Sequence, residues 1–323
     1  MRRTVVASLS LTLSMLVAFG AFTSFGACKS EKKPAGGGSA ASGASADDPW
    51  GGSDTPKAPA EVIAKPLLWK LEKDGTTSWL FGTIHLGVNA DKQLPPIVFQ
   101  RLEESKVFAM EANTNDPGLA TAMRRSDGGS LRADLGPEYW KKLEDAIGAR
   151  VAEQLEGMKP FAAMTVLIAR DLPMTLPMDR VLSERAQGAG KPIHYFEQAI
   201  DQIAMIEPWM SPDDVKALLD NRDVAKNLAG QMLEAYKRGD GDALGAMFDD
   251  KTLWLAAKRK PETFPAYLDA ILGKRNRAWI PQIEKLHADG GAFIAVGAGH
   301  LVGPSNVLGL LGERGYTVTR VTP

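Results

Sequence analysis

The chain has 323 residues, 44% of them apolar, with 38 Lys and Arg against 39 Asp and Glu. That balance fits an ordinary globular protein with a sizeable core. A formal net charge of −1 with no basic run excludes the electrostatic footprint that nucleic acid requires, so nucleic acid drops out as a partner. One cysteine excludes an internal disulfide framework, a multi-cysteine zinc site and an iron–sulfur cluster.

In chain order, Arg2 and Arg3 precede a charge-free stretch from Val5 to Ala27 with an apolar centre through Leu11, Leu13, Met15, Leu16, Val17 and Phe19. This is the pattern of a secretory signal. It closes on Phe25-Gly26-Ala27-Cys28, which resembles a bacterial lipoprotein processing site with an acylated thiol, although Phe25 stands where leucine is usual. An uncleaved N-terminal anchor and a plain signal peptide with an incidental cysteine are the alternatives. Residues 1–27 are therefore expected to be the signal peptide, and 28–60 the lipidated Cys28 with its linker. Of positions 29–60, 22 are Gly, Ala, Ser or Pro, too few apolar groups for a core. Such a coil spans roughly 30 Å for about 32 residues. The expected location is the cell envelope, with a lipid anchor as the sole membrane contact. Lys29 after Cys28 lacks the aspartate associated with inner-membrane retention, which points to the outer membrane facing the periplasm.

Residues 61–323 carry no second Gly/Ser-rich break and read as one domain. Leu67 to Leu71 and Ser78 to Phe81 flank Asp74-Gly75 as a hairpin. Pro95-Pro96 opens a short helix to Glu104, and Lys106 to Glu111 reads as a buried strand ending on an acid. Helices are expected from Pro137, where Trp140, Leu143 and Ile147 share a face, from Pro160 to Arg170, and over 179–187. Pro192 to Glu197 is strand-like and again ends on an acid. Residues 213–268 are helical in pattern with breaks at Gly239 to Asp242 and at Pro261. A helix over 275–286, a continuous apolar strand over 292–296, a helix after Pro304 and a strand over 316–321 complete the chain. The expected fold is α+β: a mixed sheet covered by helices, with a large helical insertion in the middle. The tryptophans and methionines fall at helix or strand spacing and read as core.

Two units share one pattern. Gly82-Thr83-Ile84-His85-Leu86 follows the strand at 78–81, and Gly297-Ala298-Gly299-His300-Leu301 follows the strand at 292–296. Glycine at a strand end permits positive φ and close backbone approach, which aims the following histidine into a cleft. The repetition predicts two halves facing one site. A lone histidine at either place would more often be a satisfied core or loop residue. No Gly-x-Ser-x-Gly elbow, His-Glu-x-x-His helix, P-loop or dinucleotide fingerprint is present.

Together with Leu68 to Leu71, Glu111, Lys159-Pro160, Met178-Asp179, Glu197 and Arg275-Asn276, these units resemble the TraB/GumN family. Its animal relatives are the Tiki metalloproteases, and the wider superfamily includes erythromycin esterases and haem-binding ChaN-like lipoproteins. The resemblance implies a divalent metal held by His85, Glu111 and His300 in a peptidase. Such a ligand set suits Mn²⁺, Co²⁺ or Zn²⁺, with open positions for water and a substrate carbonyl. Glu197 is then the candidate for moving the water proton, or else an acid at a helix N-terminus. Arg275 would face an oxyanion or a substrate carboxylate with Asn276 beside it, or else both begin a solvated helix. His194 and His287 stay outside the site. The expected function is a cell-envelope metal-dependent hydrolase of peptide type, acting on a peptide or small molecule. The alternatives are a non-catalytic lipoprotein that binds a peptide, signal or saccharide, and one that captures metal or haem.

Overall fold

The computed structural model describes residues 61–322; the expected signal peptide, Cys28 and the linker lie outside the described residues. Strand β1 (Leu68–Lys73) turns into β2 (Thr76–Thr83) through Asp74 and Gly75, both at positive φ (49° and 76°). Two consecutive positive φ values give the twist of a tight hairpin, and Asp-Gly tolerates them. Lys73 pairs with Thr76 and Leu68 with Phe81 in antiparallel register. Helix α1 (Pro96–Glu104) leads to β3 (Val107–Met110). Much of the helical cover follows in the connections to β4 (Ile193–Tyr195) and β5 (Ala292–Gly297), and β6 (Thr317–Arg320) ends the chain on the outside of β1.

The strand order is β4-β3-β5-β2-β1-β6, and β4, β3, β5 and β2 run parallel. This is the expected α+β mixed sheet under helical cover. Both faces of β5 are covered, and all six of its residues are buried, which is why its sequence is continuously apolar rather than alternating. Phe293 on β5 packs against Phe81 and Phe108, with ring centroids 6.0 and 6.3 Å away. The two pseudo-repeated units are nearest neighbours: Gly82 pairs with Val296 and Thr83 with Gly297.

Between β3 and β4 lie α2 (Leu131–Ile147), α3 (Pro160–Ala169) and α4 (Met178–Gly188). The α2 stretch begins six residues before the expected Pro137, because Ser130 caps the Ala133 N–H at 3.1 Å; Gly136, at φ 74°, then absorbs the kink that Pro137 imposes. Between β4 and β5 lie α5 (Ala199–Ile206), α6 (Pro212–Asp220), α7 (Arg222–Arg238) and α8 (Lys274–Ala288). A π-helical turn, Asp269–Gly273, leads directly into α8. Helix α7 ends at Gly239 in the left-handed conformation, as the sequence break there requires.

His287 is buried near the end of α8, where its role is to fasten the sheet. Its Nδ1 lies 2.9 Å from Ser78 Oγ and its Nε2 3.1 Å from the Lys73 carbonyl. His194 bonds Gln282 and stacks edge-on against Phe196. No described helix is long and apolar enough to cross a membrane.

Candidate active site

Four parallel strands bring their carboxyl ends to one edge, and each delivers a candidate residue there. His85 follows β2, Glu111 follows β3, Glu197 follows β4 and His300 follows β5. Crevices at such strand ends are where α/β sheets bind ligands. Glu197 stays in line with the sheet because its N–H donates to the Glu111 carbonyl at 3.0 Å. Helix α8 crosses this edge and adds Arg275, Asn276 and Trp279.

His85 is buried, with its Nδ1 2.5 Å from Asp179 Oδ2. Asp179 sits in the first turn of α4 and also accepts from Thr83 Oγ1 at 3.0 Å. Burial alone raises the Asp179 carboxyl, but the charge and hydrogen bond of His85, with Thr83, outweigh it and hold the group below its usual range. An ionised carboxylate only accepts, so Nδ1 of His85 carries the proton and Nε2 is the nitrogen that exchanges one.

His300 is fully buried, and its Nδ1 lies 2.5 Å from Asn276 Oδ1. Asn276 Nδ2 donates to the Ser305 carbonyl at 2.9 Å, which fixes the amide so that oxygen faces the ring. Nδ1–H therefore donates, and Nε2 presents a lone pair to Arg275 Nη1, 3.0 Å away. Burial first, then the positive charge of Arg275 and that of His85 whenever it is protonated, push the His300 imidazole well below its ordinary value, so it is neutral. The Trp279 ring covers it at 4.4 Å between centroids.

Arg275 has five N–H donors, and each finds an acceptor. Nε donates to Glu197 Oε1 at 2.8 Å, Nη1 to the Ile271 carbonyl at 3.1 Å and to His300, and Nη2 to Glu111 Oε2 at 2.5 Å and to Glu197 Oε1. Burial opposes its charge, but Glu111 and Glu197 outweigh burial and raise its pKa further. Gln202 of α5 joins the same carboxylates, at 2.6 Å from Glu197 Oε1 and 3.4 Å from Glu111 Oε2. The other Glu111 oxygen, Oε1, accepts the Gly297 N–H at 2.6 Å.

Gly297 explains the second glycine of the pattern. A Cβ there would stand 3.1 Å from Glu111 Oε1 and 3.8 Å from both His85 Nε2 and His300 Cδ2. Gly82 likewise lies against Leu67 and Ala298, where a Cβ would come within 3.1 and 3.2 Å. Neither glycine has positive φ, so close approach, and not left-handed backbone, is what both positions require.

The structure thus brings His85, Glu111, Glu197, Arg275, Asn276 and His300 together. The three expected metal ligands meet, and His300 Nε2 stands 3.7 Å from Glu111 Oε1, but its lone pair is taken by Arg275 Nη1 at 3.0 Å. The atoms nearest a Cβ at Gly297 are Glu111 Oε1, His85 Nε2 and His300 Cδ2, while His300 Nε2 lies against Arg275 Nη1. Among the described residues no group of three or more His, Cys, Asp or Glu side chains is placed to hold a metal ion. The donor set does not fit a three-ligand centre with Arg275 seated. Arg275, expected to face an oxyanion, has every N–H engaged by protein.

Residues 67–320 match the TraB/PrgY/gumN family. The chain belongs to that family. No curated protein and no solved structure matches the chain. In this TraB/PrgY/gumN chain the motif histidines, Glu111 and Glu197 all fall inside the matched span. Reasoning from residue types missed Asp179 as the partner of His85, as well as Thr83, Gln202 and Trp279. An acid in the first turn of a helix is ordinary there, so its residue type gives no sign of burial; only its place in the family resemblance singles it out.

Proposed function

We propose that this protein is a hydrolase of amide bonds in peptides, tethered in the cell envelope through Cys28, in which His85 is the proton-transferring base. The observation that supports this is that His85 Nε2 and Glu111 Oε1 both approach the Cα side of Gly297, 3.8 and 3.1 Å from where a Cβ would stand. A water there donates one hydrogen to Glu111 Oε1 and the other to His85 Nε2. As the water oxygen bonds to the substrate carbonyl carbon, His85 takes its proton, and Asp179 stabilises the resulting imidazolium. His85 then returns that proton to the amide nitrogen as the carbon–nitrogen bond breaks, and acid and amine leave.

Arg275 is a positioning residue in this scheme. It holds Glu111 Oε2 and so keeps Oε1 aimed at the cradle, while Asn276 and Trp279 hold His300 against Arg275. No step passes through a metal. A fluorogenic peptide library tested with wild type, His85→Ala and Gly297→Ala, each matched for thermal stability, checks the proposal. Cleavage by wild type that is lost in both variants is the expected result. Equal cleavage by His85→Ala sinks it, and binding without cleavage in wild type replaces it with a peptide-binding role.

A further inference from the structure

The resemblance to metallopeptidases and the geometry of the site disagree at one atom, the Nε2 of His300. A metal ligand needs that lone pair. Here the amide of Asn276, itself fixed by Ser305, sets the tautomer that presents the pair, and the Arg275 guanidinium takes it at 3.0 Å. The same guanidinium takes Glu111 Oε2 and Glu197, leans over Trp279 with Cζ 4.9 Å from the ring centroid, and has no N–H left over.

We infer that Arg275 is the resident cation of this centre and that, while it is seated, the His85, Glu111 and His300 set takes no divalent metal. Three observations carry this. First, metal and guanidinium compete for one lone pair, so His300 serves one or the other. Second, a divalent ion bound to His300 and Glu111 would stand in contact with a buried arginine, and like charges in a desolvated site repel strongly. Third, the two glutamates that a buried cation needs for compensation are already arranged around Arg275 in charge-assisted hydrogen bonds, one of them two-pronged. Helix α8 carries Arg275, Asn276 and Trp279 together, so one element supplies the guanidinium, the amide that sets the tautomer of His300 and the ring that covers it.

This inference shares residues with the hydrolase reading but is tested without substrate. The full chain, with its histidines labelled with ¹⁵N, is titrated with Zn²⁺ alone, and the ring nitrogens of His300 and His85 are followed by NMR. The expected spectrum shows His300 neutral with Nδ1 protonated, and neither histidine shifts at stoichiometric Zn²⁺. Arg275→Met, titrated in the same way, is expected to gain a site that shifts His300 and His85 together. Two results overturn the inference: wild type taking one equivalent of Zn²⁺ with both histidines shifting, or a folded Arg275→Met that still takes none. If Arg275→Met does not fold, the wild-type titration decides alone. Failure of the hydrolase reading appears elsewhere, as absence of cleavage with the wild-type spectrum unchanged by Zn²⁺.

Discussion

Asp179 Oδ2 lies 2.5 Å from Nδ1 of His85, joining the first turn of α4 to the loop after β2 across 94 positions. The pair is buried, and Thr83 holds the other carboxylate oxygen. In Asp179→Asn the amide keeps the shape and can still accept from Thr83, but it removes the charge that stabilises an imidazolium at His85. Hydrolysis should fall by about 10²–10⁴-fold with a far smaller change in KM. Steady-state kinetics on whichever peptide the wild type cleaves decides this. An unchanged kcat would remove Asp179 from the proton path.

Gly297→Ala tests the cradle directly. Its added Cβ would stand 3.1 Å from Glu111 Oε1, and since the Gly297 N–H holds Oε1 and Arg275 holds Oε2, the carboxylate has little room to yield. Because Gly297 has no positive φ, alanine brings no backbone strain. The expected outcome is loss of turnover with a melting temperature within a few degrees of wild type. A variant that turns over normally would show that water does not need that space.

Helices α2 and α6 are tied by Asp220, which accepts from Lys142 at 2.8 Å and from Tyr139 at 2.7 Å. The Lys142 hydrogen bond, followed by that of Tyr139, holds the Asp220 carboxyl below its usual value. A carboxyl depressed on folding contributes stability above its unfolded pKa, about 3.9, and that contribution is lost as pH falls through the folded value. The groups are exposed, so the effect is small and screened by salt. Asp220→Asn should therefore melt slightly below wild type at pH 7, with the two curves converging as pH falls below the unfolded carboxylate pKa. A constant offset across the acid range would show that packing, and not charge, is responsible.

Much of this architecture was legible because local chemistry and tertiary role agree. Asp74-Gly75 makes a tight turn whatever surrounds it, and the uninterrupted apolar run at 292–296 suits a strand covered on both faces. The two Gly-x-x-His units announced a shared site because a glycine against a strand end is a backbone requirement that sequence records. What sequence did not record is orientation. His300 could have turned either nitrogen toward Arg275, and that choice is made by Asn276, itself held by the Ser305 carbonyl. Asp179 and Gln202 reach the site from helices whose own patterns describe an amphipathic surface, so only the packed fold identifies them as buried partners. The start of α2 was missed because Pro137 looks like a first helical residue, whereas Gly136 lets an earlier turn join it.

Tyr236 links the helical cover to the first motif. It is buried on α7, its hydroxyl donates to the Gly82 carbonyl at 2.7 Å, and it lies 3.4 Å from the Met178 sulfur, one residue before Asp179. Burial, with the nearby Asp179 charge, pushes the phenol well above its ordinary value, so it remains a neutral donor throughout the working range. Tyr236→Phe keeps the ring and removes the donor, leaving the buried Gly82 carbonyl short of a partner. That should cost about 1–2 kcal/mol, or roughly 2–8 °C in melting temperature for a domain of this size. Turnover should fall as well, since Gly82 sets the direction of the His85 loop and Met178 N–H donates to the His85 carbonyl at 3.2 Å. Denaturant titration beside kinetics separates the two effects. Lost stability with unchanged kcat would make Tyr236 a packing residue, and loss of both would make it the strut through which α7 holds the base in place.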